Sequence, residues 1–194
     1  MTSAYGAARA AAYVGAARAA AYVGAGNRGG SSRGPYAGRV SLPIPPADAA
    51  AMRRALALGA EAAAAEEIPV GAVVTDAAGT IIGEGRNLRE ETGDPTAHAE
   101  IVALRAAAAS TGSWNLEHCT LTVTLEPCLM CAGAILQARV GRVVFGAWDD
   151  KAGAAGSVYD VLRDRRLPVR AEVVGGVAEP EAQALLRTFF DARR

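Results

Sequence analysis

Two short stretches hold residues whose types and spacing suit metal chemistry: His98-Ala99-Glu100 and Pro127-Cys128-Leu129-Met130-Cys131. Cys128 and Cys131 are three apart, so in the first turn of a helix both sulfurs face the same way. A helix N-terminus also lowers a thiol pKa and so favours the thiolate that a metal needs. The imidazole of His98 and two thiolates fill three positions of a tetrahedral zinc site. The fourth stays open, and an open position separates a catalytic zinc from a closed structural one. Glu100, two residues from a ligand, can then move protons to and from a metal-activated water.

Other chemistries use C-x-x-C, notably redox exchange or half of a structural zinc site. A four-ligand structural site needs another Cys or His pair. Besides His98 only His118 and Cys119 remain, and they form no pair at ligand spacing. A redox pair would leave His98-x-Glu100 unexplained. His118 and Cys119 precede a strand pattern and read as structural.

The elements that must position these groups follow from periodicity and punctuation. A helix is predicted over 48–66, capped by Asp48, with Met52, Leu56 and Ala60 on one face and Pro69 ending it. Strands at 70–75 and 81–85 flank a turn at 76–79. A polar loop at 87–96 leads to a helix over 98–109. A strand over 119–125 and a helix over 128–138 then bracket the cysteines. A strand at 142–147, a glycine-alanine loop at 151–157, a short helix at 160–163, a strand at 171–174 and a helix over 179–193 complete the chain. Alternating strands and helices predict an α/β sandwich on a mixed sheet.

The chain has 194 residues, one ordinary domain with something extra. Its 51% hydrophobic content includes 46 alanines, so about a quarter of the chain is strongly core-forming and tight packing between elements is expected. Residues 1–46 hold five Arg and no acidic residue, whereas 47–194 carry a net charge of −5. They read as a low-complexity, disordered tail: the nonamer beginning at Tyr13 restarts at Tyr22, and Gly, Ser and Pro dominate from Gly24 to Pro46. The working domain is therefore 47–194. Three cysteines exclude a disulfide scaffold and point to a reducing, cytoplasmic setting. No apolar run is long enough to cross a membrane.

H-x-E…P-C-x-x-C is the pattern of the zinc nucleobase deaminases, and over about residues 50–193 the chain resembles the bacterial tRNA-specific adenosine deaminases within that superfamily. The resemblance rests on Pro69-Val70-Gly71-Ala72-Val73, Asp94-Pro95-Thr96-Ala97-His98-Ala99-Glu100, Thr124-Leu125-Glu126-Pro127-Cys128, Met130-Cys131-Ala132-Gly133-Ala134 and Val144-Phe145-Gly146-Ala147. Asp149, Lys151, the run from Gly153 to Ser157 and the Phe189-Phe190 helix extend it.

The resemblance implies a three-layer α/β/α sandwich with a mixed, mostly five-stranded sheet of the cytidine deaminase-like kind. It implies one zinc per subunit on His98, Cys128 and Cys131, with Glu100 as proton shuttle. Asn87 would hydrogen-bond the base, Ile68 and Leu125 would wall its pocket, and Asp149, Lys151 and Phe190 would contact substrate. The implied reaction is hydrolysis of adenosine to inosine at the wobble position of a tRNA anticodon loop, by a cytoplasmic homodimer without membrane contact. The small-residue stretch from Cys131 to Ala138 is where such a partner could pack.

A deaminase of a free base or nucleoside, of cytosine or guanine type, would share the metal and Glu100. A zinc-stabilised RNA-binding protein would not need Glu100. The chain departs from the family pattern at Arg86, Leu88-Arg89, Trp148 and Val169, in loops expected to meet RNA.

Overall fold

A computed structural model describes residues 44–193, so the expectation for the tail lies almost wholly outside the described residues. Five strands form one sheet, in the order β2-β1-β3-β4-β5. They are β1 (Gly71–Thr75), β2 (Ile81–Arg86), β3 (Thr120–Leu125), β4 (Arg142–Ala147) and β5 (Glu172–Gly175). β1 is antiparallel to both β2 and β3, while β3, β4 and β5 run parallel, so the sheet is mixed as expected.

Alternate residues of each strand face opposite layers. Val73 and Val144 pack with helix α1 (Pro46–Ala64), and Ala182 of α5 (Glu179–Asp191) meets Gly146 on that same side. Ala72, Val74, Leu121, Val123, Val143 and Phe145 belong to the larger core beneath α3 (Ala99–Thr111) and α4 (Leu129–Gln137). A short helix, α2 (Arg89–Thr92), interrupts the predicted polar loop. The three layers match the expected sandwich.

Three local expectations need correction. Asp48 does not cap α1, which begins two residues earlier behind Pro45. Asp48 is instead buried in the first turn, where it accepts two hydrogen bonds of 2.7 Å from Arg142. Of Met52, Leu56 and Ala60, expected on one face of α1, only Met52 is buried, since Ala60 is exposed and Leu56 half-buried. A Cβ on Gly71 would sit 2.1 Å from the Ala55 carbonyl oxygen and 2.5 Å from the Gly59 nitrogen, so the helix turns its smallest residues to the sheet. Residues 160–163 form a turn and no helix. The Val161 N–H goes to the Ala154 carbonyl and Arg163 clasps the Asp160 carboxylate, which commits the local donors away from a helical ladder.

The opposite face shows the same close approach. Ala99, Ala103 and Ala107 form a stripe along α3 that lies directly on Gly85 and Gly83 of β2. A Cβ on Gly85 would stand 2.3 Å from the Ala99 carbonyl oxygen and 2.5 Å from the Ala103 nitrogen, both backbone atoms that cannot swing aside. We expect Gly85→Ala to cost about 1–3 kcal/mol through overpacking and to lower the melting temperature. Because Ala99 lies between His98 and Glu100, zinc retention should weaken in the same variant. Calorimetry and metal analysis check both outcomes.

The pairing register brings one end of every element to the same edge. Gly71 pairs with Arg86, Ala72 with Val123, and Leu125 with Ala147. The carboxyl ends of the parallel strands β3 and β4 therefore meet the start of β1 and the end of β2. In open α/β sheets, ligands bind beyond the carboxyl ends of the strands.

Candidate metal centre and base pocket

His98 and Cys128 are the residues immediately preceding α3 and α4. Both have extended backbone angles, and neither side chain caps its helix. Both side chains sit at the positive ends of helix dipoles. Cys131, in the first turn of α4, is fully buried.

The three donor atoms lie within 4.8 Å of one another, the only such group of three among the described residues. The His98 Nδ1 is 3.7 Å from the Cys128 sulfur and 3.5 Å from the Cys131 sulfur. Tetrahedral zinc with Zn–S near 2.3 Å and Zn–N near 2.0–2.1 Å requires donor separations of about 3.5–3.8 Å. The residues present therefore fit zinc in chemistry and in spacing.

The three donors act strongly on one another's protons. Hydrogen bonding from Cys131, and then from His98, brings the Cys128 thiol down to about 4, so it is a thiolate at neutral pH. Beside that thiolate, and in a buried position, the Cys131 thiol is pushed strongly up. The imidazole of His98 is raised, chiefly by its hydrogen bond with Cys128. Glu100 is 4% exposed, and burial pushes its carboxyl up to about 7. A carboxyl in that range can both accept and return a proton at neutral pH.

A cavity of about 170 Å³ opens beside this group, lined by Ile68, Val70, Asn87, Arg89, His98, Ala99, Glu100, Leu125, Glu126, Cys128, Asp149 and Ala152. It is smaller than a typical site for a drug-sized ligand and suits one flat ring with the rest of the molecule outside. Six predicted residues thus meet here around Glu100 and His98: Asn87, Ile68, Leu125, Asp149 and Cys128 line the space, and Cys131 lies behind. Lys151 and Phe190 do not line it. Lys151 is exposed on the following turn. Phe190 is exposed on α5, with its ring edge-to-face on the buried Phe189 at 5.4 Å.

Three contributors were not singled out from the sequence. Glu67 is fully buried, and its carboxylate accepts the Asn87 side-chain N–H at 2.9 Å and the Glu91 backbone N–H at 2.8 Å. A carboxylate can only accept, so the amide nitrogen of Asn87 must face Glu67 and its oxygen faces away. Arg89 reaches the cavity lining from α2. Glu126 lines the cavity beside Asp149, whose backbone N–H it accepts. Of the departures from the family pattern, Trp148 and Val169 pack against the core, with the Trp148 ring edge-on to Phe145 at 4.7 Å. Arg86 is paired with Glu91. His118 is exposed, and Cys119 is a core residue whose thiol burial pushes up, as expected of bystanders.

The cytidine and deoxycytidylate deaminase zinc-binding region matches residues 45–147. A tRNA-specific adenosine deaminase of Haemophilus influenzae is 52% identical over 143 residues, covering 74% of this chain and 83% of that protein. A tRNA(Ile)-lysidine synthase of Deinococcus radiodurans is 54% identical over 151 residues. There the match covers 78% of this chain but only 26% of the relative, so the chain spans about a quarter of that protein's length. A solved structure from studies of A-to-I editing by tRNA:A34 deaminases at the wobble position of transfer RNA superposes with a TM-score of 0.68. It is 38% identical and covers 71% of this chain and 99% of that one.

Proposed function

Because the chain belongs to the tRNA-specific adenosine deaminases, within the zinc-binding cytidine and deoxycytidylate deaminase family, we propose that it hydrolyses adenosine to inosine at the wobble position of a tRNA anticodon loop. The observation that carries this reading is the His98, Cys128 and Cys131 triangle at a base-sized cavity with the buried carboxyl of Glu100 beside it.

His98, Cys128 and Cys131 would hold the zinc, which supplies the Lewis acidity that makes water nucleophilic near neutral pH. Glu100 takes the proton from the attacking water and delivers it to N1 of adenine. As the water oxygen bonds to C6, Glu100 takes the second proton from that new hydroxyl and gives it to the departing amine, so that the C6–N bond breaks, C6=O remains and ammonia leaves. Asn87 hydrogen-bonds the base, oriented by Glu67, while Ile68 and Leu125 hold its faces. A stacked base cannot enter such a space, so the target must be splayed from a single-stranded loop. Arg89 at the cavity, and Lys151 and Phe190 outside it, are the groups available to the flanking RNA.

The deciding experiment measures inosine in an anticodon stem-loop with adenosine at the wobble position, beside free adenosine, cytosine and guanine. Turnover of the stem-loop alone supports the reading. Turnover of a free base alone would make this a base deaminase, and RNA binding without inosine would make it a zinc-stabilised binding protein.

The working form proposed is a cytoplasmic homodimer. No helix among the described residues is long and apolar enough to cross a membrane. The expected packing stretch needs revision, because Cys131, Ala132, Ile135 and Leu136 face the interior. Met130, Ala134 and Gln137 of α4, with Ile101, Leu104 and the exposed Trp114, line an apolar groove shared with α3. Sedimentation should give twice the chain mass, and Trp114→Glu should halve it. A monomeric wild type would refute the dimer.

A further inference from the structure

Glu126 is 2% exposed and sits between the last residue of β3 and the Pro127-Cys128 junction. A carboxylate taken so far out of water needs compensation from cations or several donors. Among the described residues, every hydrogen bond given to this carboxylate comes from one segment, 149–157, and none of the donors is a cation. The backbone N–H of Asp149 donates to Oε2 at 3.0 Å, those of Ala155 and Ser157 donate to Oε1 at 2.9 and 3.0 Å, and the Ser157 hydroxyl donates to Oε2.

The segment is moulded around this group. A Cβ on Gly153 would stand 2.4 Å from the Glu126 carboxylate, so only glycine lets the chain pass there. Gly153 also bridges to Cys128, and the Ala154 N–H donates to the Pro127 carbonyl at 2.8 Å. Asp149 and Ala152, from the same segment, line the base cavity. The segment between them and Ser157 is mostly Gly and Ala, with few side chains to hold its own shape.

We infer that Glu126 is a positioning residue that clasps the 149–157 segment and so sets the cavity wall carrying Asp149, which governs how substrate is held and not the chemical step. This rests on the deaminase reading above.

Glu126→Gln keeps the volume but turns one acceptor into a donor. The remaining oxygen can keep the Ala155 and Ser157 N–H groups, while the new amide faces the Asp149 N–H, with which it cannot bond. With the holoenzyme and an anticodon stem-loop, the expected result is a KM raised about tenfold, the equivalent of one hydrogen bond to a charged group. Zinc content should stay at one per chain and kcat should stay within about threefold. Ser157→Ala, which removes a single donor, should raise KM less, and the double variant should fall short of the product of the two effects.

Loss of zinc with a parallel fall in kcat would overturn the inference, since Glu126 would then merely support Cys128. So would an unchanged KM in a wild type that turns the stem-loop over. Hydrogen exchange on the same variant reads the clasp without turnover. Lost protection confined to 149–157 is expected, and unchanged protection overturns the inference whatever the substrate proves to be.

Discussion

Glu100→Ala is expected to lower kcat by about 10²–10⁴-fold, the range of general acid–base contributions, while each chain keeps its zinc. The carboxyl is buried at the cavity two residues from His98 and supplies none of the three donors of the metal triangle. Removing it takes away the carboxyl that burial pushes up to about 7, the group placed beside the metal triangle to take and return the proton. Glu100→Gln separates charge from shape, because it fills the same volume but cannot shuttle a proton, and it should be about as inactive as the alanine variant. Single-turnover inosine formation with parallel metal analysis gives both readings. Near-normal turnover in either variant would remove Glu100 from the mechanism.

Replacing Cys131 by alanine should abolish zinc retention and, with it, turnover. Its sulfur is fully buried, 3.5 Å from the His98 Nδ1, and belongs to a group of three that has no spare member. Two donors cannot fix a tetrahedral ion, and the other histidine and cysteine, His118 and Cys119, lie outside the cavity lining. Loss of an outer-shell partner alone costs 10–100-fold in affinity, so loss of a donor should exceed about 100-fold. Titration with a competing chelator measures this directly. Cys119→Ser is the contrast, since it perturbs the core but should leave the zinc stoichiometry at one. A Cys131 variant that still bound zinc tightly would show the donor assignment to be wrong.

The metal group was legible in the sequence because its geometry is local. Cys128 and Cys131 are related by one helical turn, and His98 announces its role by the carboxylate two residues on. Glu67 and Glu126 carry no such signal. Their partners lie 20 to 31 residues away, and only the folded sheet brings them close. The short helix expected at 160–163 failed for a related reason: the Val161 N–H is taken by the carbonyl of Ala154, whose position depends on the segment clasped by Glu126. Of the expected α1 face only Met52 turns inward, because the close contact with Gly71 brings Ala55 and Gly59 to the sheet and leaves Leu56 at its side. Trp148 was expected at the RNA surface and turns inward, since Gly156 and Gly175 leave room for its ring.

The alanine stripe of α3 on Gly83 and Gly85 bears on how this sequence can change over time. A chain drifting toward alanine, as 46 alanines in 194 residues suggest, would normally erode its core by replacing larger apolar residues. At Ala99, Ala103 and Ala107 the drift and the packing ask for the same residue, because the strand beneath leaves no room for more. The helix that delivers His98 and Glu100 is therefore held by the very composition that mutation favours. Variation should accumulate instead in α2, none of whose side chains is buried, and substrate preference is free to evolve there without disturbing the metal.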